Sequence, residues 1–401
     1  MIEKYRSIYN GHFTQERYEA FLKDIEQQFN YKPPFRIAET PIFIPQLLKE
    51  RLTEACEEIM SVVTAPDFKE LTHEALRHEP LQVPEEDYVS RFMQFDFGIC
   101  LDENGDPTPK LIELQGFPSL YFYQDFLSQK YKKHFDLPQR FSVHLNGIKR
   151  DQYIEMLRNE IVGDADPKQV ILLEVEPEKQ HTRIDFLCAQ QTLGIKVLCI
   201  SKLKKRGKKL FYLDENGHEI QILKIYNRVI FDELNQRTDI NREFYFTDDV
   251  DVEWVGHPHW FFRISKYTMP LLKGKYVPQC HYLDKLEEYP ENLDQYVLKP
   301  LYSFAGSGVQ LNVTKEMLDS IKDKDNFILQ QKVQYHPIVE TPDVPAKAEI
   351  RMMTLHNTVE NKTRLVSNLA RLTKGEMVGV KYNKNKTWVG GSIGYFENEE
   401  G

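Results

Sequence analysis

The chain has 401 residues and a formal net charge of -9, with 41% hydrophobic and 28% charged residues. Domains usually hold about 100 to 200 residues, so this length predicts two or three packed units of a globular protein. The negative charge offers no broad positive field, which argues against nucleic acid as the main partner.

The cysteines and the hydropathy of the sequence predict the cellular compartment of the protein. The five cysteines are scattered without a C-x-x-C pair, which predicts reduced thiols in a cytoplasmic protein and argues against a disulfide framework. No run of about 18 apolar residues occurs, and the first residues are charged and lack an apolar core. We therefore expect no membrane partner and no export.

The first 90 residues are predicted to be mainly helical. Between Pro45 and Val63, apolar residues recur at helical spacing, which is more typical of a core-facing stripe than of a partner site. The members of this stripe are Leu47, Leu48, Leu52, Ala55, Ile59 and Val62. A proline-punctuated acidic segment at residues 79–87 is predicted to be a connector.

Two strand-like runs in residues 92–118 are joined by an Asn-Gly turn, which predicts a β-hairpin. Side chains alternate across a strand, so Gln94 and Asp96 share one face of the first run, and Glu113 and Gln115 share one face of the second. If the register brings these faces together, two carboxylates and two amides converge. Such oxygen ligands suit Mg²⁺ held jointly with phosphates. The alternative is the polar outer face of a two-sided hairpin.

Residues 166–255 predict a small α/β unit. A buried strand at 169–174, a helix-like segment at 182–192 and a second strand at 196–200 form a β-α-β pattern, which favours a parallel sheet. The basic run at 202–209 is interpreted as a solvated hairpin rather than a binding patch.

A glycine loop follows an apolar strand that carries Lys299. A loop of small residues can point successive backbone N–H groups at one anion, and the lysine adds a compact positive charge from the neighbouring strand. The small residues of this loop are Ser303, Ala305, Gly306, Ser307 and Gly308. A second apolar strand is expected after the loop. For an isolated loop of this kind, an ordinary glycine hairpin is the alternative.

Other polar residues flank this loop in the sequence. His257 and His259 could bind a metal, but a turn held by the intervening proline is the favoured interpretation. Further on, Arg351 and Arg371 lie on strand-like segments. A buried arginine is costly without an anionic partner, so both are candidates to contact a phosphate or carboxylate. A nearby Asp or Glu is the alternative partner.

From about residue 91 onward, the order of these segments resembles that of the ATP-grasp ligases. Lys266, after Ser265, is similar to the first nucleotide lysine of that family, and Lys299 is similar to the second. Residues 304–309 resemble its flexible phosphate loop. The strand expected to hydrogen-bond adenine comprises Gln330, Gln331, Lys332 and Val333. Each motif is weak alone, and their order carries the resemblance.

The position of the magnesium hairpin is unusual for that family. A D-x(n)-E-x-N hairpin normally follows the later strands, whereas here the candidate ligands Asp96, Glu113 and Gln115 precede all other motifs. The sequence therefore resembles the circularly permuted, glutathionylspermidine synthase-like branch. Permutation is tolerable because the original termini need only lie near each other on the surface.

The resemblance implies a mixed α+β and α/β architecture, namely a circularly permuted ATP-grasp fold with a preceding small Rossmann-like α/β domain. The expected units are a mainly helical region, a metal-binding hairpin that completes the ATP-grasp C-terminal subdomain, the small α/β domain, the nucleotide-binding subdomain and the C-terminal subdomain. Their bounds are 1–90, 91–165, 166–255, 256–335 and 336–401.

The resemblance also implies an ATP- and Mg²⁺-dependent ligase that joins a carboxylate to an amine or thiol through an acyl phosphate. Its partners would be small-molecule or peptide substrates. Two departures matter: Gln115 replaces the usual asparagine, and Gln94 stands where the family often has an arginine. Either Arg351 or Arg371 supplies that charge, or the activity is altered or lost. The alternative function is an ATP-binding module without ligase activity.

Overall fold

The computed structural model describes residues 1–77, 83–230, 234, 236–303, 306–376, 378 and 382–397. The described helices are α1 Glu3–His12, α2 Gln15–Phe29, α3 Gln46–Val63, α4 Phe68–Leu71, α5 Tyr121–His134, α6 Arg150–Ile161, α7 Arg183–Leu193, α8 Trp260–Arg263 and α9 Lys315–Ser320. Among these described helices, none is long and apolar enough to cross a membrane.

The described strands belong to several separate sheets and are short except in one sheet. They are β1 Ile42–Ile44, β2 Phe92–Leu101, β3 Pro107–Gln115, β4 Phe141–Ser142, β5 Val170–Glu174, β6 Lys196–Cys199, β7 Lys204–Arg206, β8 Lys209–Leu213, β9 Glu219–Ile222, β10 Lys224–Asn227, β11 Glu253–Val255, β12 Cys280–Tyr282, β13 Tyr296–Pro300, β14 Phe327–Gln331, β15 Lys347–Asn357, β16 Lys362–Thr373, β17 Gly390–Ser392 and β18 Gly394–Glu397.

The helical stripe predicted near the N-terminus lies on α3. Its buried residues are Leu48, Leu52, Ala55, Cys56, Ile59 and Val63. Leu47 is 40% exposed and does not belong to the buried face. The stripe packs into the apolar cluster that includes the inward residues of β2 and β15, such as Phe97 and Ile350. The prediction of a core-facing helix is therefore confirmed, with one residue misplaced.

The central sheet has five strands in the order β17-β16-β15-β2-β3, and every pair in it is antiparallel. The predicted β2–β3 hairpin is confirmed, although β3 begins at Pro107, earlier than expected, and a bulge follows Asp96. β2 pairs with β15, so a hairpin from the first third of the chain is completed by strands near its end. Residues far apart in sequence thus share one sheet face.

A second, three-stranded antiparallel sheet has the order β12-β14-β13 and carries Lys299 on β13. The second apolar strand expected after the glycine loop is not a strand. Gln310 makes only an isolated bridge to Leu298, and the chain then enters α9, whose first turn is capped by the Thr314 side chain. A capping threonine this close to Gln310 leaves no length for a strand.

The predicted parallel sheet is confirmed and has the order β11-β10-β5-β6, with all of its pairs parallel. The basic run forms the β7–β8 hairpin beside this sheet. Its cations are matched by acids: Lys204 lies 2.6 Å from Glu243, and Lys205 lies 3.1 Å from Asp248. The interpretation of this run as a hairpin rather than a free basic patch is confirmed.

The start of α5 is held by a side chain from another helix. Asp185 of α7 is fully buried, and its carboxylate accepts hydrogen bonds from the backbone N–H groups of Leu120, Phe122 and Tyr123 at 2.9–3.1 Å. It also pairs with buried Arg228 at 2.7 Å. Asp185 thus satisfies the free N–H groups of the first helical turn, and it fixes the loop between the hairpin and α5.

We expect Asp185→Asn to lower the free energy of unfolding by about 3 kcal/mol, because it leaves Arg228 buried without a counter-charge and weakens the cap. Urea denaturation of the purified variant measures this change. Glu397→Gln, which removes a half-exposed pair with Arg140, is the control and should cost less than about 1 kcal/mol. Equal losses in the two variants would contradict this role of Asp185.

Candidate nucleotide and metal site

The register of the central sheet brings the predicted polar residues onto one face. Asp96 lies opposite Glu113 on β3 and opposite Arg351 on β15, and Gln94 lies opposite Gln115. Asp96 is 2% exposed and Gln94 is fully buried. The two carboxylates and two amides converge as the alternation predicted, on a face that is buried at Gln94 and Asp96 and partly exposed at Glu113 and Gln115.

Arg351 holds Asp96 with its planar head. Its Nε donates to Asp96 Oδ1 at 2.5 Å and its Nη2 to Oδ2 at 2.6 Å, while Nη1 donates to Gln94 Oε1 at 2.9 Å. Gln94 Oε1 also accepts from the Gln115 side chain, and its Nε2 donates to the Ser119 carbonyl at 2.6 Å. A two-bond contact of this kind fixes both direction and distance.

Arg371 reaches the same carboxylate from β16. Its Nη1 lies 3.6 Å from Asp96 Oδ2 and donates to Glu349 Oε1. Burial opposes ionisation of Asp96, but the charges of Arg351 and Arg371 outweigh it and hold the pKa of this carboxyl below its ordinary value. Burial has the larger effect on Glu349, whose pKa is raised in spite of Arg371.

Two lysines face the hairpin from the other side of the cleft. Lys299 Nζ donates to the Ile112 carbonyl at 2.9 Å, next to Glu113. Lys266, the first residue of a 3₁₀ turn over Lys266–Leu271, lies 3.4 Å from Glu113 Oε2 and donates to the Ser303 carbonyl at 2.6 Å. The structure therefore brings both predicted lysines to the predicted metal hairpin.

These contacts set the charge states at the centre of the cleft. Burial lowers the pKa of Lys299 to about 8; Glu113 opposes this shift and Lys266 adds to it. Burial would raise the pKa of Glu113, but Lys266 and Lys299 outweigh it and the pKa is lowered. At neutral pH, the site therefore presents an ionised Glu113 between the side chains of Lys266 and Lys299.

The glycine loop is open to solvent beside Lys266. Gly306, Ser307 and Gly308 are exposed, and both glycines have a φ of +72°. A side chain at Gly308 would also place its Cβ 2.7 Å from Pro300 Cγ, so the turn requires glycine there. Ala305 lies outside the described residues.

The expected adenine strand is only partly directed at the cleft. Gln330 is buried, and its Nε2 lies 3.4 Å from the Ile112 carbonyl, whereas its Oε1 has no hydrogen-bond partner within the described part of the chain. Gln331 is exposed and Val333 is half-buried. Lys332 Nζ donates to the Asp294 carbonyl at 2.5 Å. A buried acceptor without a donor fits the amino group of an adenine ring.

The residues present fit a divalent cation in their chemistry. Carboxylate and amide oxygens are the donors that Mg²⁺ prefers, and Asp96, Glu113 and Gln115 provide them from adjacent strands. Glu113 is the more accessible acid, with 32% of its side chain exposed against 2% for Asp96. Arg351 donates to both oxygens of Asp96, so a cation held there would share this carboxylate with the guanidinium.

A second cluster with metal-ligand atoms lies elsewhere, and several of its atoms are engaged in hydrogen bonds. Glu86, His257 and His259 place one ligand atom each within 4.8 Å of the others. His257 contacts the Pro84 carbonyl through Nε2 and the backbone N–H of His259 through Nδ1. Arg263 donates to Glu86 at 2.7 Å. The favoured interpretation of the two histidines as a structural turn agrees with these bonds.

Sequence reasoning missed two residues of the site. They are Glu349 and Tyr335, whose hydroxyl donates to Glu349 Oε2 at 2.9 Å. The alternation of β15 places Glu349 on the face of Arg351 and could have revealed the first. The second had no signal, because Tyr335 lies in a segment without regular structure.

Comparison with known proteins supports the architecture. No family model and no curated protein matches the sequence. Among solved structures, a glutathione synthetase-like effector from Globodera pallida, in its apo form, matches with a TM-score of 0.56 and 14% identity, over 96% of each chain. This likeness shows a glutathione synthetase-like fold, which is compatible with the expected ATP-grasp fold. At this identity, it shows the fold alone.

We expect Arg351→Met and Asp96→Asn each to cost about 3 kcal/mol of stability, because each leaves a buried group without its partner. The double variant should cost clearly less than the sum of the two, and a double-mutant cycle by urea denaturation measures the coupling. Since the pKa of Asp96 is lowered in the folded state, its contribution should be present above about pH 4 and fade as pH falls further. Strictly additive losses would contradict the pairing.

Proposed function

We propose that this chain is an ATP-dependent ligase that joins a carboxylate to an amine or thiol through an acyl phosphate. The observation that carries the proposal is the convergence at Glu113: Lys266 and Lys299 come from one side of the cleft, and Asp96 lies on the other. A site of cations, acids and amides suits phosphoryl transfer, which depends on positioning and charge neutralisation rather than on a protein nucleophile.

The roles follow from the contacts. The two lysines would bind the phosphates, Gln330 would face the adenine, and the loop at residues 303–308 would cover the phosphates. A Mg²⁺ ion held by Asp96, Glu113 and Gln115 would neutralise charge between the phosphates. Arg351 and Arg371 are the candidates to stabilise the group in transfer.

We further propose the circularly permuted ATP-grasp arrangement and the five-unit division with bounds at 90, 165, 255 and 335. The pairing of β2 with β15 supports this, because a hairpin near residue 100 completes a sheet whose other strands begin at Lys347. The parallel sheet of β5, β6, β10 and β11 supports a separate Rossmann-like unit. We propose a cytoplasmic protein acting on small-molecule or peptide substrates.

Nucleotide binding without ligation is the second candidate. Gln94 stands where the family that this chain resembles often has an arginine, and Arg351 donates hydrogen bonds to both oxygens of Asp96. If Arg351 stays on Asp96 when nucleotide binds, its charge would weaken Asp96 as a metal ligand and it could not itself reach the phosphates. The protein would then bind ATP and not transfer its phosphate.

Turnover with hydroxylamine separates the two candidates. Mg-ATP is supplied with pools of amino acids, small carboxylic acids and polyamines, and hydroxylamine traps any acyl phosphate as a hydroxamate. A ligase should release ADP and form hydroxamate in equal amounts with at least one acid, and Glu113→Gln should reduce both by about 100-fold. If ATP binds and no pool gives hydroxamate or ADP, the ligase proposal fails and the binding module stands.

The pKa of Lys299 predicts a pH dependence of nucleotide affinity. The Lys299 amino group is protonated and positively charged below about pH 8 and neutral above it. ATP should therefore bind about tenfold more weakly at pH 9.5 than at pH 7. Isothermal titration across this range measures the affinity. Lys299→Met should bind weakly with a flat profile, while exposed Lys322→Met should keep the wild-type profile. Parallel profiles for wild type and Lys299→Met would contradict the assignment.

A further inference from the structure

The two arginines of the site are engaged to very different extents. Arg351 uses Nε, Nη1 and Nη2 in hydrogen bonds to Asp96 and Gln94, and its side chain is 6% exposed. Arg371 contacts Asp96 and Glu349 through Nη1 alone, and 30% of its side chain is exposed. Of the two arginines, Arg371 therefore has the more accessible side chain and the fewer polar contacts within the described residues.

Glu349 holds Arg371 in this position, and Tyr335 holds Glu349. One oxygen of the buried Glu349 carboxylate accepts from Arg371, and the other accepts from the Tyr335 hydroxyl at 2.9 Å. With both oxygens engaged, the carboxylate cannot rotate without breaking a bond. Glu349 and Arg371 are also direct cross-strand neighbours, so the pair is aligned across β15 and β16.

Gly98 leaves space for the ring of Tyr335. Gly98 lies opposite Glu349 on β2, and a Cβ there would lie 2.4 Å from Tyr335 Cε1. The next residue, His336, fixes the backbone by donating its N–H to the Ile99 carbonyl at 2.9 Å. The segment after β14, which carries Gln330, thus packs its tyrosine ring onto the central sheet. The proposed adenine end of the cleft is linked in this way to Arg371.

We propose that Tyr335 and Glu349 are positioning residues that hold the Arg371 guanidinium at the phosphate end of the cleft, so that Arg371, and not Arg351, contacts the terminal phosphate of a bound nucleotide. Arg351 then serves to neutralise and orient Asp96. This inference rests on the proposed function and decides between two arginines that the sequence leaves equivalent. It also assigns roles to Tyr335, Glu349 and Gly98.

The test compares nucleotides that differ in phosphate number. AMP, ADP and the non-hydrolysable AMP-PNP are titrated with Mg²⁺ by calorimetry, and the readout is the ratio of AMP-PNP affinity to AMP affinity. Arg371→Met should lower this ratio by about 10- to 100-fold, the loss expected for a charged hydrogen bond. Tyr335→Phe, Glu349→Gln and Gly98→Ala should lower it by about three- to tenfold, with AMP affinity unchanged.

Controls separate positioning from general damage. Tyr289 is also half-buried and donates to a carboxylate, Asp319, at 3.1 Å, so Tyr289→Phe should keep the ratio. Arg351→Lys should likewise change the ratio less than Arg371→Met does. Thermal unfolding identifies variants that fail to fold. If any do, Tyr335→Phe and Gly98→Ala decide the test, because they change different residues and should lower the AMP-PNP to AMP affinity ratio by the same factor.

Two results would overturn the inference. One is an unchanged ratio of AMP-PNP affinity to AMP affinity, either in Arg371→Met or in both Tyr335→Phe and Gly98→Ala when these variants fold. The other is a larger loss of this ratio in Arg351→Lys than in Arg371→Met. Both leave the proposed function intact, since wild type would still bind the nucleotides. If wild type binds none of the three nucleotides, the proposed function itself fails and this inference fails with it.

Discussion

The contact between Arg351 and Asp96 joins parts of the chain that are 255 residues apart, and the candidate site is built around it. It lies in the middle of the central sheet, where strand β2 of the early hairpin meets β15. Burying two charges is unfavourable unless their geometry is good and their other bonding positions are filled. Both oxygens of Asp96 are bonded, and Gln94 satisfies the remaining guanidinium nitrogen, so these conditions are met.

The acidic and basic side chains of the candidate site contact one another. Four basic side chains face three acidic ones, and each acid contacts at least one base. The bases are Lys266, Lys299, Arg351 and Arg371, and the acids are Asp96, Glu113 and Glu349. A cluster with more basic than acidic side chains attracts an anion, and the interactions of its buried members are strengthened because water is kept away.

Much of this site could be predicted from the sequence because its signals are local. The alternation of β2 and β3 placed Gln94, Asp96, Glu113 and Gln115 on one face, and their register follows from a single hairpin. Contacts that depend on distant pairing were not accessible. No local pattern indicates that Gly98 of β2 pairs with Glu349 of β15, or that an irregular segment brings Tyr335 over that glycine.

The same reason accounts for the errors in the fold. A second strand after the glycine loop was expected from a short apolar run, but β-pairing needs a neighbour with free hydrogen-bonding groups, and here only Gln310 finds one. The contact of the Lys332 side chain was likewise not predictable, because its Nζ donates to the Asp294 carbonyl, which lies on a separate turn.

Gln94 departs from the expected motif, and its role depends on the residue that faces it on the neighbouring strand. Its amide donates to the Ser119 carbonyl and accepts from both Arg351 and Gln115, so it joins the α5 loop, the hairpin and β15. An arginine at this position could not accept these bonds, and it would place a second cation against Arg351. The cation beside Asp96 is Arg351 on β15, and Gln94 accepts one of its hydrogen bonds. A glutamine at position 94 and an arginine at position 351 are therefore one joint feature of the site, and neither can be interpreted without the other.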